Sequence, residues 1–484
     1  MTSSTIAQPW ALDARQAVQA IRSGRLKAVD YVMALLARAD TYSSLHAFIT
    51  LETESAIAAA SRIDALTGNE RARYPLAGLP IAVKANINVK GARTCAGTPA
   101  LAGFVAPTTA PTVTRLVEAG AIVLGKTNMH ELAVGITSTN LAAHAGPVRN
   151  PYDRSKIPGG SSGGTAAALA ARIAPAGLGT DTGGSTRIPA ALTGTAGLRP
   201  SVGNGGAERR YRNEHDVVPI SHTRDTVGPM ARTAADLAFI DGIATGDTAL
   251  PAIELARLRI GLPRDCWRQL DSAVEAIAHA ALERLEKAGV TFVDVELTEI
   301  MSICERISLP IAFAELGDDV PAWLAANGAP VQTLGALAER IASPDVRRIY
   351  EATLAGTYAE AYPHAIQVLR PELQRRYASI FDTAGLDALL FPTTPLPAVD
   401  IDDIEGSAVV TIGNGEPIDE MAAYLRHTDP ASIAGIPGLS IPAGLTPSGL
   451  PVGIEIDGPL GSDRRLLAIG IAFESVLGAL PPPF

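Results

Sequence analysis

Two serines lie in separate glycine-rich loops in the first half of this 484-residue chain. Ser161 follows Gly159 and Gly160, and Ser185 follows Gly183 and Gly184, with a short alanine-rich helix expected between the two loops. Glycine lets the backbone approach a substrate closely and adopt positive φ angles. Successive backbone N–H groups in such a run form a concave donor cluster that suits an oxyanion. The pattern therefore indicates serine chemistry in which negative charge develops on an oxygen.

A lysine ends the short apolar segment 79–84. The chain has only six lysines among its 40 lysine and arginine residues, so a lysine at the end of an apparently buried strand needs an explanation. Burial disfavours the charged ammonium and lowers the pKa of a lysine below its ordinary value of about 10.4. We therefore predict a lowered pKa for Lys84, and a reaction rate that rises with pH and levels off well below the ordinary lysine value.

These residues resemble the amidase signature family of serine hydrolases. The paired Gly-Ser motifs with the helix between them are the most specific part of the resemblance, which extends over most of the chain. The segments that are similar to the family are residues 28–49, 78–86, 120–131, 150–200 and 435–453. The resemblance implies an α/β fold in one large domain, with a central mixed β-sheet covered on both faces by α-helices.

The resemblance also implies a catalytic triad. Ser185 would be the nucleophile, Ser161 would take its proton, and Lys84, as a neutral amine, would receive the proton from Ser161. The family places a cis peptide bond before the bridging serine. The expected oxyanion donors are four backbone N–H groups, those of Thr182, Gly183, Gly184 and Ser185. This mechanism requires neither a metal nor an organic cofactor.

Residues beside the two serines are interpreted as structural. We expect Ser162 to hydrogen-bond within its loop, and Asp181 and Arg187 to hold the nucleophile loop through hydrogen bonds or a buried ion pair. The sequence departs from the family at one visible position, where the usual Lys-Asp-Asn is replaced by Lys84, Ala85 and Asn86. The triad is left intact, but the hydrogen bonds and charge around Lys84 are expected to differ.

Segments 218–226 and 228–232 are most similar to the indoleacetamide and mandelamide hydrolase branch. This similarity predicts an amidohydrolase that cleaves an aryl-acetamide-type amide to a carboxylic acid and ammonia or an amine. Three alternatives stay open. The same triad suits carbamates, esters and anilides, or the catalytic subunit of an RNA-dependent amidotransferase. The alanine at position 85 also leaves room for a weakly catalytic amide-binding protein.

Composition and charge bear on whether the protein binds nucleic acid and on the cellular compartment in which it works. The net charge is −10, and the local basic segment 209–212 is interpreted as a solvated charged loop at the pocket entrance, so we expect no nucleic-acid partner. Three scattered cysteines suggest a reducing compartment. Residues 1–10 do not resemble a signal peptide, and no apolar run approaches a membrane span. We expect a cytoplasmic enzyme with a small-molecule amide substrate, and the family resemblance implies a homodimer.

Two short motifs mimic other sites. Segment 120–127 fits the phosphate-binding pattern Gly-x4-Gly-Lys-Thr, but that loop needs a strand before it and a helix after it. Here a helix is predicted before the segment, and a strand is predicted within it. Segment 159–163 fits the nucleophile elbow of α/β-hydrolases, which needs a strand directly before the serine. Residues 150–158 instead read as a loop, and the eight histidines show no metal-ligand spacing.

Strands and helices are predicted to alternate along the chain, which favours a helix-covered sheet with substantial parallel content. Expected helices are 12–23, 28–39, 55–66, 112–119, 164–172 and 273–288. Expected strands are 78–84, 121–125, 258–262, 290–295, 386–392 and 439–442. From residue 178 the chain is expected to run back towards the loop of the second serine. Within one amidase domain of 1–484, we expect an N-terminal helical segment 1–70, a catalytic core 71–250, and substrate-shaping helices with the remaining strands in 251–484.

Overall fold

The structure, a computed structural model, describes residues 6–213, 215–413 and 415–484. Residues 1–5, part of the segment considered for a signal peptide, therefore lie outside it. The described strands form one eleven-stranded sheet and one two-stranded sheet. The strands are β1 (Phe48–Leu51), β2 (Pro80–Lys84), β3 (Ile122–Thr127), β4 (Ala176–Asp181), β5 (Ala196–Arg199), β6 (Thr226–Ala231), β7 (Arg259–Pro263), β8 (Thr291–Val295), β9 (Ala388–Pro392), β10 (Val409–Thr411), β11 (Pro417–Asp419), β12 (Gly438–Leu445) and β13 (Pro451–Asp457).

Sixteen α-helices are assigned within the described ranges, and several begin at residues suited to a helix start. Asp13 and Gln16 form a capping box at the first helix, and Pro111 opens the fifth. The helices are α1 (Ala14–Arg22), α2 (Ala28–Thr41), α3 (Thr53–Ala65), α4 (Gly68–Arg71), α5 (Pro111–Glu118), α6 (Gly163–Ala170), α7 (Arg187–Thr193), α8 (Ala234–Thr245), α9 (Ser272–Lys287), α10 (Thr298–Ala326), α11 (Leu334–Ala338), α12 (Pro344–Leu354), α13 (Tyr362–His364), α14 (Arg370–Ala384), α15 (Glu420–Ala434) and α16 (Asp463–Leu477). None of the helices in the described ranges is long and apolar enough to cross a membrane.

The large sheet is mixed, in the order β1-β3-β2-β4-β6-β5-β12-β13-β9-β7-β8. Strands β3, β2 and β4 run parallel, as do β9, β7 and β8, while β6, β5, β12 and β13 pair antiparallel between these two groups. Helices cover both faces of this sheet. The predicted fold class is therefore confirmed.

The parallel neighbours β2 and β4 bring two chemically active chain ends together. Lys84 is the last residue of β2, and Thr180 and Asp181 are the last two of β4. Val83 pairs with Leu178 in this register. Because the carboxyl ends of parallel strands meet at one edge of a sheet, Lys84 arrives beside the segment that leads into the second serine loop.

Helix α6 and strand β4 together join the two serine loops, and α6 is buried along its whole length. Its small residues let it pack directly on backbone. A Cβ atom on Gly164 would lie only 2.2 Å from the carbonyl oxygen of Asn128 and 2.6 Å from that of Ala47. Glycine at position 164 is therefore required by the close packing of this helix on the backbone.

The structure differs from the sequence prediction in the N-terminal segment 1–70, which is not helical throughout. Strand β1 within it pairs antiparallel with β3 and extends the main sheet. Strands β5, β6 and β13 were also not predicted. The segment that mimics a phosphate-binding loop is instead strand β3, with helix α5 before it and Lys126 completely buried.

Candidate active site

Lys84 lies between two hydroxyl groups in the interior. Its Nζ is 2.8 Å from Ser161 Oγ and 2.7 Å from Thr180 Oγ1. All three side chains are buried, and Asn86 Nδ2 donates a second hydrogen bond to Thr180 Oγ1 at 3.1 Å. A proton can pass directly between Ser161 and Lys84 at this separation.

Burial lowers the pKa of Lys84 to about 7, against the opposing charges of Asp181 and Asp225. The alanine that follows the lysine packs in an apolar cluster with Cys95 and Met129, so position 85 contributes no carboxylate. A substantial fraction of Lys84 is therefore the neutral amine near pH 7.

The first serine loop is fixed from several sides. The peptide bond between Gly160 and Ser161 is cis, as expected from the resemblance. The Ser162 hydroxyl donates to the Thr180 carbonyl at 3.1 Å, and the Ser162 N–H donates to the Ser185 carbonyl at 3.2 Å. Ser162 thus ties its loop both to β4 and to the second serine.

Ser185 lies in the second loop with 6% of its surface exposed. The structure contains no hydrogen bond between the Ser161 and Ser185 hydroxyls, and the two loops are joined through the Ser162 backbone instead. Four consecutive N–H groups in the second serine loop have no protein acceptor among the described residues: those of Thr182, Gly183, Gly184 and Ser185. Gly183, Gly184 and Ser185 are buried, and buried N–H groups without a partner are uncommon, so this run is available to a ligand oxygen.

A buried network of charged side chains holds the base of the second serine loop. Arg187 donates to Asp181 at 3.0 and 3.1 Å and to Glu455 at 2.8 Å, and Arg199 donates to Asp181 at 3.2 Å. Burial alone would raise the pKa of Asp181, but the two guanidinium groups hold it well below its usual range. Asp181 and Arg187 therefore form a permanently charged pair at the base of the loop.

Sequence reasoning missed two side chains that bind the carbonyl groups of this loop. Arg224 Nε donates to the Thr182 carbonyl at 3.1 Å, and Thr428 Oγ1 donates to the Gly183 carbonyl at 2.6 Å. Arg224 falls within the segment 218–226 that resembles the family, which is the only signal for it. Thr428 is 245 residues from Gly183, and no local pattern indicates its role.

Two adjoining cavities reach the site. A cavity of about 50 Å³ contacts Ser185, and a cavity of about 320 Å³ contacts Asn86 and Thr180. Both are bounded by Thr182 and Ile220. The smaller cavity has a largely apolar wall that includes Ile136, Ile220, Leu309, Phe313, Met421 and Leu425. An apolar acyl group suits this chamber.

The basic segment 209–212 is not the solvated loop that its charge predicted. Arg209 and Tyr211 line the larger cavity, consistent with the expected place at the pocket entrance. Arg210, however, forms an ion pair with the buried Asp241 at 2.6 Å, and Tyr211 is 2% exposed. Buried carboxylates on distant elements, not water, therefore satisfy much of this segment.

One group of three metal-ligating side chains occurs among the described residues, formed by His222, Glu315 and Asp319. His222 and Asp319 line the larger cavity. The Glu315 carboxylate already accepts from the hydroxyls of Thr223 and Tyr362, and the Asp319 carboxylate lies 3.0 Å from the His222 ring. Protein donors satisfy these carboxylates. The group links His222, at the larger cavity, to helix α10.

Comparison with known proteins places this geometry in a family. The amidase family model matches residues 30–467. The mandelamide hydrolase of Pseudomonas putida is 41% identical over 99% of this chain and 94% of that protein, and the indoleacetamide hydrolase of Agrobacterium vitis is 41% identical over 96% of each. A solved amidase structure has a TM-score of 0.84 at 32% identity, with 96% of this chain and 100% of that chain covered. The chain therefore belongs to the amidase family and is a hydrolase of carbon–nitrogen bonds other than peptide bonds.

Proposed function

We propose that this enzyme hydrolyses aryl-acetamide-type carboxamides to carboxylic acids and ammonia or an amine, through an acyl-enzyme formed on Ser185. The observation that carries the proposal is the buried contact of 2.8 Å between Lys84 and Ser161. A lysine whose pKa is lowered to about 7 supplies a base at neutral pH without a metal or organic cofactor.

The first half-reaction forms the acyl-enzyme. Ser185 Oγ attacks the amide carbon while its proton passes to Ser161, whose own proton passes to Lys84. The carbonyl oxygen becomes an oxyanion, and the free N–H groups of residues 182–185 donate to it. The Lys84 ammonium then returns its proton through Ser161 to the departing nitrogen, so the carbon–nitrogen bond breaks to give a neutral amine or ammonia.

Water completes the second half-reaction by the same relay. It attacks the ester carbon of the acyl-enzyme while its proton passes through Ser161 to Lys84. Collapse of the tetrahedral intermediate breaks the bond to Ser185 Oγ, which regains a proton from the relay. The carboxylic acid leaves, and Lys84 is again the neutral amine.

The preference for an aryl-acetamide is supported by the apolar chamber at Ser185 and by the names of two relatives, a mandelamide hydrolase and an indoleacetamide hydrolase. Their named amides carry an aromatic ring close to the carboxamide. We also propose a cytoplasmic homodimer that binds no nucleic acid. The three cysteines are free and buried, which fits a reducing compartment.

The test is a panel of phenylacetamide, an aliphatic amide, a carbamate and an ester, with mass spectrometry of a trapped acyl-enzyme. Phenylacetamide is the expected best amide, with the acyl group on Ser185.

The serine variants test the nucleophile. Ser185→Ala is expected to abolish acylation and Ser161→Ala to slow it, and the double variant should be little worse than Ser185→Ala because the two residues act as a unit. An acyl group mapped to Ser161 would contradict the assignment. Glutamine turnover and co-purification with a second subunit would favour an amidotransferase.

A further inference from the structure

The two carbonyl groups that precede the oxyanion donors are held by side chains from distant parts of the chain. The Thr182 carbonyl accepts from Arg224 Nε at 3.1 Å, and the Gly183 carbonyl accepts from Thr428 Oγ1 at 2.6 Å. A trans peptide unit is planar, so its C=O and the N–H of the next residue point in opposite directions. Holding the Thr182 carbonyl thus fixes the Gly183 N–H, and holding the Gly183 carbonyl fixes the Gly184 N–H.

Those two N–H groups have no protein acceptor among the described residues. Glycine has wide conformational freedom, so a Gly-Gly pair does not aim its own N–H groups. Catalysis by an oxyanion site requires donors that are oriented before charge develops. We propose that Arg224 and Thr428 are positioning residues that aim the Gly183 and Gly184 N–H groups at the oxyanion, an inference that rests on the proposed function.

Both side chains are themselves fixed by packing and hydrogen bonds. Arg224 Nη1 donates to the Ser308 carbonyl in α10 at 3.1 Å, and its Nη2 donates to Asp429 in α15. Thr428, the neighbour of Asp429, is completely buried. Helices α10 and α15 therefore anchor the two groups that hold the loop.

Thr428 also lies closely against Gly184. Gly184 has a φ of +148°, and a Cβ atom on it would lie 2.2 Å from Thr428 Oγ1. The threonine hydroxyl thus occupies the space beside the loop and reaches the carbonyl from there. Alanine at position 428 would open this space and release the Gly183 carbonyl at the same time.

The matched variants are Thr428→Ser, which keeps the hydroxyl, and Thr428→Ala, which loses it, since both lack the methyl group. We expect kcat for phenylacetamide to be about 10- to 100-fold lower in Thr428→Ala than in Thr428→Ser, less than the loss for removing an oxyanion donor outright. KM is expected to differ by less than about threefold, because the donors act on the transition state.

Two inhibitors separate positioning from general support of the fold. Phenylmethylboronic acid forms a bond from Ser185 Oγ to boron and gives an anionic tetrahedral adduct, whereas phenylacetate mimics the bound product. We expect the inhibition constant of the boronic acid to rise in Thr428→Ala by the same factor as kcat falls, and that of phenylacetate to stay unchanged. Arg224→Lys, which can still pair with Asp429 but has no Nε–H, is likewise expected to raise the inhibition constant of the boronic acid and to leave that of phenylacetate unchanged.

Equal kcat values for Thr428→Ser and Thr428→Ala, with Arg224→Lys unchanged, would overturn the inference. A parallel loss of affinity for both inhibitors would also overturn it, because that result indicates a damaged pocket. Failure of the proposed function has a different signature. In that case the wild-type enzyme itself would neither hydrolyse phenylacetamide nor form the boronic acid adduct at Ser185.

Discussion

The carboxyl ends of β2 and β3 each carry a completely buried lysine, Lys84 and Lys126. Burial lowers the pKa of each to about 7. Lys126 pairs in register with Val83, the neighbour of Lys84, so the two lysines lie on opposite faces of the sheet. By burial and pKa alone the two residues cannot be told apart.

Their hydrogen-bond partners separate them. Lys84 contacts the hydroxyls of Ser161 and Thr180, whereas Lys126 donates to the carbonyl oxygen of Ile87 and lies 3.4 Å from the Thr94 hydroxyl. A carbonyl oxygen only accepts a hydrogen bond, but a serine hydroxyl can accept and give up a proton. The Thr94 hydroxyl beside Lys126 donates to the same Ile87 carbonyl and belongs to neither serine loop, so we expect a lowered pKa to mark a catalytic base only where the hydroxyl partner lies in a serine loop.

The largest expected effect tests this difference with the same substitution at both positions. Lys84→Met is expected to lower kcat/KM for phenylacetamide by about 10³- to 10⁴-fold, at the upper end of what general acid–base catalysis contributes. Lys126→Met is expected to leave kcat/KM within about threefold, because its partner is structural. Steady-state kinetics, with circular dichroism to verify folding, would measure both. Comparable losses of activity in the two variants would contradict the assignment of Lys84 as the base and Lys126 as a structural residue.

The pH dependence of amide hydrolysis is the next test. Since Lys84 must be neutral to accept a proton, kcat/KM should rise with pH, about tenfold per pH unit below the midpoint, and level off above about pH 7. Lys126→Met should keep that midpoint. Lys84→Arg should be nearly as inactive as Lys84→Ala across the range, since a guanidinium does not give up its proton. Substantial amide turnover by Lys84→Arg would show that only the charge matters.

The pH dependence of the free energy of unfolding should reflect the two buried lysines equally. The unfolded chain holds these protons up to about pH 10.4, whereas the folded chain releases them near pH 7. In this window the unfolded state binds more protons, so the free energy of unfolding rises with pH by about 1.4 kcal/mol per unit for each lysine. Urea unfolding at pH 7.5, 8.5 and 9.5 should give a slope lower by that amount in Lys126→Met. The exposed Lys90→Met is the control, and an unchanged slope in Lys126→Met would count against the lowered pKa.

The smallest expected effect concerns the threonine hydroxyl beside each lysine. Thr180 Oγ1 accepts from Lys84, which leaves the amine lone pair free for Ser161. Thr180→Val is therefore expected to lower kcat about three- to tenfold, the value of one hydrogen bond. Thr94→Val, beside Lys126, should leave kcat unchanged. Kinetics on phenylacetamide would decide, and equal effects of the two substitutions would remove the proposed role of Thr180.

Much of the proposed site could be anticipated because each of its parts is a short local motif. The two serine loops, Lys84 and the oxyanion segment are short motifs with required residue types. Arg224 and Thr428 could not be predicted in the same way, because each contacts the loop only through the folded sheet and helices. The basic segment 209–212 was misjudged for a related reason, since its partner Asp241 is brought in by helix α8.

The fold was predictable where strands are apolar and bounded by turn residues. Strand β6 was missed because Gly228 and Pro229 at its centre are unfavourable in strands. It is nevertheless buried between β4 and β5, and a Cβ on Gly228 would lie 2.3 Å from the Leu198 carbonyl oxygen. Close sheet packing decides the conformation here. Strand β1, with four residues, is too short to show a period.

Helix α10 has a consequence for how this enzyme can diverge. It provides Leu309, Ala312 and Phe313 to the wall of the chamber at Ser185, yet none of the residues in the proposed proton relay or oxyanion segment belongs to it. Substitutions in that wall can therefore alter which acyl groups fit while the bond-breaking groups stay in place. Changes confined to one helix can therefore shift substrate preference without any new catalytic group.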